Sequence, residues 1–355
     1  MSGQHRWTAL GLTGTGILGL TVTSGLAMLA HRFVDEFSRP HTLLDETEIT
    51  WAVPQFMPEP PLVYQRSLLF KTSDGTMLRG DFWAQPRVAP TIVLCHGYRI
   101  SRSHLRPVAA LEYSRGYNIL LFDLRGHGDS DSVMTSGGNV EVHDLEAAIV
   151  VARSQPETLA GKIIIHGFSM GAAIALLTPP QPEHVAAIIA DSPFARSDEV
   201  LRRLVHFIMV RESSGWIPAL HWLRCFFPAL IWTTFVMCVI DFRLRFGYNF
   251  VARPDSSFKR WNTYAKTALQ QRAIPILLIH SAGDPLIPIE HALQIAAEAR
   301  VYGVPLETYF VAASSHCGAY GYDPYQYSKV LQRFLARYLG DDLPVQHRKI
   351  DAINQ

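Results

Sequence analysis

At 355 residues, 48% of them hydrophobic, the chain is long enough to bury a sizeable core as one large domain or two small ones. Lys and Arg number 32 against 31 Asp and Glu, for a net charge of +1, so charge gives no ground for a nucleic-acid partner. Four cysteines, Cys95, Cys225, Cys238 and Cys317, form no CxxC pair and no zinc spacing, and no metal site is expected.

The elements begin with an apolar run. Residues 9–30 carry no charge and are rich in Leu, Ala, Gly, Thr, Val and Ile. About twenty such residues span a bilayer. The run is apolar on all faces, unlike a surface helix. It is long for a signal peptide, and its small-residue sites near Ala27 and Ala30 are weak. An uncleaved membrane anchor over 1–32 is therefore expected in preference to a cleaved leader, with Trp7 at the interface. Arg6 on one side and Arg32 and Arg39 on the other leave its orientation open. Residues 33–66 read as a linker and entry segment, where Pro40, Pro54, Pro58, Pro60 and Pro61 forbid a long helix.

Strands follow at 67–71 and 77–84 around the turn Ser73-Asp74-Gly75. After these, short apolar strands at 91–95, 118–123, 162–166, 185–190, 275–280 and 306–311 alternate with helices at 105–115, 140–154, 289–300 and 324–339 and one opened by Met170. Continuous apolar strands separated by helices predict an α/β fold whose parallel sheet is covered on both faces. In such a sheet ligands bind beyond the carboxyl ends of the strands. The stretch 195–268 interrupts the alternation with Trp, Phe, Leu and Arg, and is expected to be an inserted apolar helical lid. Its rival is a second membrane helix, since 228–240 is uncharged, although Arg224 and Asp241 bound that run closely. Residues 67–340 make the main domain and 341–355 a C-terminal tail.

The chemistry centres on Gly167-Phe168-Ser169-Met170-Gly171, set between an apolar strand and an apolar helix. A strand, a sharp turn, a serine and a helix make a nucleophile elbow. Gly167 and Gly171 let the turn close, and the NH of Met170 at the helix start faces a developing oxyanion. A serine hydroxyl needs a base and an orienting acid, expected downstream in the order acid, then base. Asp284, in Gly283-Asp284-Pro285 just beyond a buried strand, is the acid candidate, with a plain turn-forming role as the alternative. His316, in the loop after the last strand, is the base candidate. His166 and His280 lie inside strands, and His127 and His143 precede the serine. The loop His96-Gly97-Tyr98-Arg99 should supply the second oxyanion donor through the NH of Tyr98, with Gly97 permitting close approach and His96 bracing the loop. The loop 123–130 reads as scaffold beside the site.

Taken together, His-Gly-Tyr at 96–98, Asp-Leu-Arg-Gly-His-Gly-Asp-Ser at 123–130, the elbow, Asp-Ser-Pro-Phe at 191–194, Gly-Asp-Pro-Leu-Ile-Pro at 283–288 and Ser-Ser-His at 314–316 resemble the α/β-hydrolase superfamily over 67–339. The resemblance implies a mostly parallel eight-stranded sheet and carries nucleophile, acid and base to Ser169, Asp284 and His316. It is nearest in look to membrane-anchored serine hydrolases with one N-terminal helix, and the long aromatic insert is the departure. A serine hydrolase acting through an acyl-enzyme on esters, lipid esters or acyl thioesters is expected, with no cofactor. A serine peptidase, or a binding protein that keeps the fold without catalysis, are the alternatives.

Overall fold

Uninterrupted Ile, Val, Leu and Ala at 92–94, 119–121, 163–165, 185–190 and 276–279 suit strands buried on both faces, and that is where the core strands lie. The computed structural model describes residues 4–40, 59–212, 225–267, 273–313 and 315–340, with side chains left out at 4–20, 207–212 and 263–267. Contacts divide the chain into two compact units, residues 39–197 with 252–355 and residues 1–38 with 198–251.

The larger unit is built on one eight-stranded sheet. In chain order its elements are β1 (Gln65–Lys71), β2 (Met77–Trp83), β3 (Ala89–Cys95), α2 (Arg106–Ser114), β4 (Asn118–Phe122), α3 (Val142–Ser154), β5 (Thr158–Phe168), α4 (Met170–Leu177) and β6 (Val185–Asp191). After the insert come α7 (Ser257–Thr267), β7 (Ile276–Ser281), α8 (Ile289–Val301), β8 (Leu306–Val311), α9 (Ala319–Tyr322) and α10 (Pro324–Leu339). The strand order is β1-β2-β4-β3-β5-β6-β7-β8. β2 is antiparallel to β1 and β4, and every pair from β4 to β8 is parallel. Side chains alternate across a strand. Ile92, Leu94, Ile119, Leu121, Ile164 and Ile189 therefore share one face, where they pack with Val108 and Leu111 of α2 and Leu331, Phe334 and Leu335 of α10. Helices α3, α4 and α8 pack against β5, β6 and β7.

β5 starts four residues before its apolar run, because Thr158 pairs with Ala89 across a register shift ahead of the Thr91–Ile163 pair. It also runs past His166, since Gly167 pairs with Cys95 and Phe168 with Asp191. The short helix α9, which carries no apolar period of its own, was not expected from the sequence.

The smaller unit holds α1 (Gln4–Ser38), α5 (Ser197–Glu212, from Asp198 onward) and α6 (Phe227–Phe246). The expected linker boundary at residue 33 falls inside α1. Phe33 and Val34 are buried and continue the apolar face, so the helix runs on until Pro40. The side chains of the expected anchor up to residue 20 lie outside the described residues, as do 41–58 of the linker, 213–224 of the insert and the tail 341–355. Among the described residues one helix, α6, is long and apolar enough to cross a membrane by length and composition, with a mean hydropathy of 1.5.

The last part of the expected lid, from Ala252 onward, belongs to the sheet unit instead. The Ser197 NH donates to Ala252 O at 3.0 Å, and the Ala252 NH returns a bond to Ser197 Oγ at 2.7 Å. The Asp255 NH donates to Ala195 O, and Gln294 donates to the Asp255 carboxylate. The insert thus leaves and re-enters the larger unit at one place.

Candidate active site

Strand β5 ends at Phe168 and α4 begins at Met170, so Ser169 alone makes the turn between them. Its φ of 52° and ψ of −115° lie where a residue with a Cβ is strained, at a cost of roughly 1–3 kcal/mol. Packing holds it there. The Ser169 NH donates to Asp191 O of β6 at 2.8 Å. A Cβ on Gly171 would sit 2.1 Å from Cys95 O, and one on Gly167 would sit 2.4 Å from Gly171 O. Both positions therefore require glycine, and α4 closes down directly onto β3.

The loop between β8 and α9 brings His316 to this turn. His316 Nε2 is 2.7 Å from Ser169 Oγ, and Nδ1 is 2.6 Å from Asp284 Oδ2. Asp284 stands in the turn after β7, its other oxygen accepting the NH groups of Leu286 and Ile287, each at 2.9 Å. Burial pushes the Asp284 carboxyl up, but the bond and charge of His316 and the two NH groups outweigh it and hold it below the ordinary value. The turn itself is braced by buried His280, whose Nε2–H donates to Ile287 O at 2.9 Å. Residues from three loops, 147 positions apart at the extremes, thus form one hydrogen-bonded line from serine to carboxylate.

The loop after β3 lies against the serine, since a Cβ on Gly97 would be 3.2 Å from Ser169 Cβ. Tyr98 follows directly, its ring edge-on to His127. Met170 occupies the first helical position of α4, where backbone NH groups lack intrahelical acceptors. His96 is fully buried and ties two loops together. Its Nδ1–H donates to Gly97 O at 2.7 Å, and its Nε2 accepts the Leu124 NH at 3.0 Å. Burial lowers its pKa to about 4, only partly offset by the Gly97 carbonyl, so the ring is neutral near pH 7. The loop 123–130 is bound up in its own contacts. The Asp123 carboxylate accepts the NH groups of Arg102 and Asp129 and pairs with the Arg102 guanidinium. Arg125 is held between Asp74 and Asp144. Cys317 follows His316, but burial pushes its thiol well up, away from the thiolate.

One cluster under the elbow was not read from the sequence. Asp191, whose carbonyl holds Ser169, accepts Ser192 Oγ–H at 2.9 Å and Tyr327 OH at 3.1 Å. The Tyr327 oxygen lies 3.0 Å from His166 Nε2, and His166 Nδ1 lies 2.7 Å from Glu112 Oε1. With the Tyr327 proton given to Asp191, His166 Nε2 is the donor to Tyr327. The available signal was Asp191 and His166 on adjacent buried strands, where polar side chains need partners. Among the described residues no group of three or more His, Cys, Asp or Glu stands ready for a metal.

Three comparisons bear on this arrangement. The family profile described as "Alpha/beta hydrolase family" matches residues 92–326. The uncharacterized protein YqkD of Bacillus subtilis is 28% identical over 263 residues, 74% of this chain and 76% of that protein. The thiohydrolase apmlB of Arthrinium phaeospermum is 31% identical over 127 residues, 35% of this chain and 41% of that protein. Among solved structures, the esterase Pf2001 of Pyrococcus furiosus superposes with a TM-score of 0.58 at 22% identity, covering 80% of this chain and 99% of that one, a likeness of fold alone.

Proposed function

The chain belongs to the α/β-hydrolase family, and from that premise we propose that it is a serine hydrolase cleaving carboxylic esters or acyl thioesters through an acyl-enzyme. The observation that carries the proposal is the Ser169–His316–Asp284 line, with 2.7 Å and 2.6 Å contacts, at a strained turn. Asp284 holds the His316 Nδ1–H, so the lone pair of Nε2 points at Ser169 Oγ. As Oγ attacks the acyl carbon, its proton passes to Nε2. The oxyanion that forms takes hydrogen bonds from the NH groups of Met170 and Tyr98. His316 then gives the proton to the leaving oxygen or sulfur. Water, deprotonated by His316, attacks the acyl-enzyme and releases the acid and free Ser169. These steps use no cofactor.

An apolar acyl group is the proposed specificity. Its support is the Trp- and Phe-rich insert between β6 and β7, which we assign as a lid. The apolar stretch of α1 is proposed to hold the enzyme at a membrane as a single-pass anchor. The test is labelling by a fluorophosphonate probe, with wild type and Ser169→Ala compared on a panel of lipid esters and thioesters. Folded wild type that resists the probe and turns over no ester refutes the hydrolase reading and leaves a binding protein. Equal labelling of Ser169→Ala refutes the assignment of the serine.

A further inference from the structure

Within the smaller unit, α1 and α6 pack side by side and run in the same direction. Three contacts set their register. Cys238 Sγ lies 3.8 Å from Ala30 O, His31 Nδ1 3.2 Å from Asp241 Oδ1, and Arg245 Nη2 2.9 Å from Asp35 Oδ1. These contacts expose a coincidence between two segments 210 residues apart in the chain. α1 carries no charged residue over 9–30 and then presents His31, Arg32 and Asp35. α6 carries none over 227–240 and then presents Asp241, Arg243 and Arg245. Ala30 meets Cys238 and His31 meets Asp241, so both helices change from apolar to polar at one level.

Below that level the outward surface of α6 is apolar. Trp232, Val236 and Ile240 recur at every fourth position and are 54%, 37% and 52% exposed, while Thr234, Phe235 and Cys238 are buried. Exposed Thr233 turns its hydroxyl onto Ala229 O of its own helix, which leaves the donor satisfied without water. Among the described residues, Arg202 of α5 reaches this stretch, paired with Asp198 and lying over the rings of Trp232 and Phe235. A protein partner imposes no common level on two helices, whereas a hydrocarbon slab with an aqueous boundary does.

We propose that α1 and α6 enter a lipid bilayer together, with the His31, Asp241, Arg245 and Asp35 cluster at the headgroups. At 1.5 Å per residue the uncharged part of α1 is about 33 Å long, enough to span, and that of α6 about 21 Å, more than one leaflet but less than two. The ends of the insert meet at Ser197 and Ala252, so α6 goes in and comes back on one side. It is a re-entrant element seated against the anchor. This goes beyond the hydrolase assignment and is independent of it.

The test uses the full chain in phosphatidylcholine vesicles, with exposed Cys225 changed to Ser and Val236→Cys carrying an NBD fluorophore. Leu293→Cys on α8 is the aqueous reference, and exposed Ala229→Cys, deeper along α6, repeats the measurement should the first variant fold poorly. Nitroxide placed on the lipid acyl chains should quench the probe at 236 several-fold more than at 293, and aqueous iodide should quench it several-fold less. Equal iodide access at 236 and 293 in vesicle-bound protein overturns the proposal and leaves α1 as the sole anchor. Shielding at 236 that follows protein concentration at fixed lipid also overturns it, assigning the stripe to a second copy. The readout needs no catalysis, so a failed hydrolase assignment leaves it interpretable.

Discussion

Asp284→Asn keeps the size of the side chain, removes its charge and changes which ring nitrogen of His316 carries the proton. Asp284 Oδ1 accepts two backbone NH groups at 2.9 Å, while Oδ2 receives His316 Nδ1 at 2.6 Å. An asparagine has one oxygen and one NH2 to distribute over these places. Turning the NH2 toward Leu286 and Ile287 sets donors against donors and strands the part-buried NH of Leu286 and the buried NH of Ile287, the latter at roughly 1–3 kcal/mol. The oxygen therefore stays with the backbone and the NH2 faces His316. Nδ1 must then accept, Nε2 carries the hydrogen, and no lone pair remains for the Ser169 proton. The expected loss is about 10⁴-fold in kcat, the size seen when the wrong tautomer is imposed on such a triad, or about 5.5 kcal/mol of barrier. KM on a chromogenic ester should change little and the melting temperature should stay near wild type. A variant within tenfold of wild-type kcat would refute the tautomer argument, and with it Asp284 as the orienting acid.

Three further outcomes are expected. Ser169→Gly should abolish ester turnover yet raise the melting temperature, because glycine tolerates φ of 52° and releases roughly 1–3 kcal/mol of strain; a lower melting temperature would show the turn to be unstrained. Gly171→Ala should lose at least about 3 kcal/mol in a denaturant melt, since its methyl would meet strand backbone at 2.1 Å and neither strand nor helix can yield; near-wild-type stability would place α4 farther from β3. Burial lowers both His96 and His127 from 6.5 to about 4. The folded state thus binds fewer protons than the unfolded one, and the stability these neutral rings contribute is complete above pH 6.5. It is lost as pH falls through 4, about 3 kcal/mol for each ring if it titrates at the full shift. Urea melts should become weaker across that window in wild type and less so in His127→Gln; equal slopes would remove His127 from the account.

Features set by short stretches of chain were legible in the sequence. Each buried strand announced itself through a continuous apolar run, because burial on both faces leaves no polar alternation to maintain. Ser169 was legible because a sharp turn between strand and helix demands small residues at Gly167 and Gly171 whatever surrounds it. Asp284 and His316 were legible as candidates by their order and by their places after strands. Their meeting within 2.6–2.7 Å was not, since it depends on parallel pairing of β5 to β8. The course of α1 past residue 33 was missed because its reason lies in packing rather than in the helix itself.

Contacts between distant residues carry no local signature. Tyr327 under Asp191, Glu112 on His166, and His31 and Asp35 against Asp241 and Arg245 are ordinary polar residues of helices and strands until folding brings each pair together. Local backbone sterics and the burial period act over a few residues and are written in the sequence at that range. A hydrogen bond between residues two hundred positions apart exists only once the chain has paid the entropy of closing the loop between them, and which partner it finds is decided by the packing of the whole sheet or helix pair.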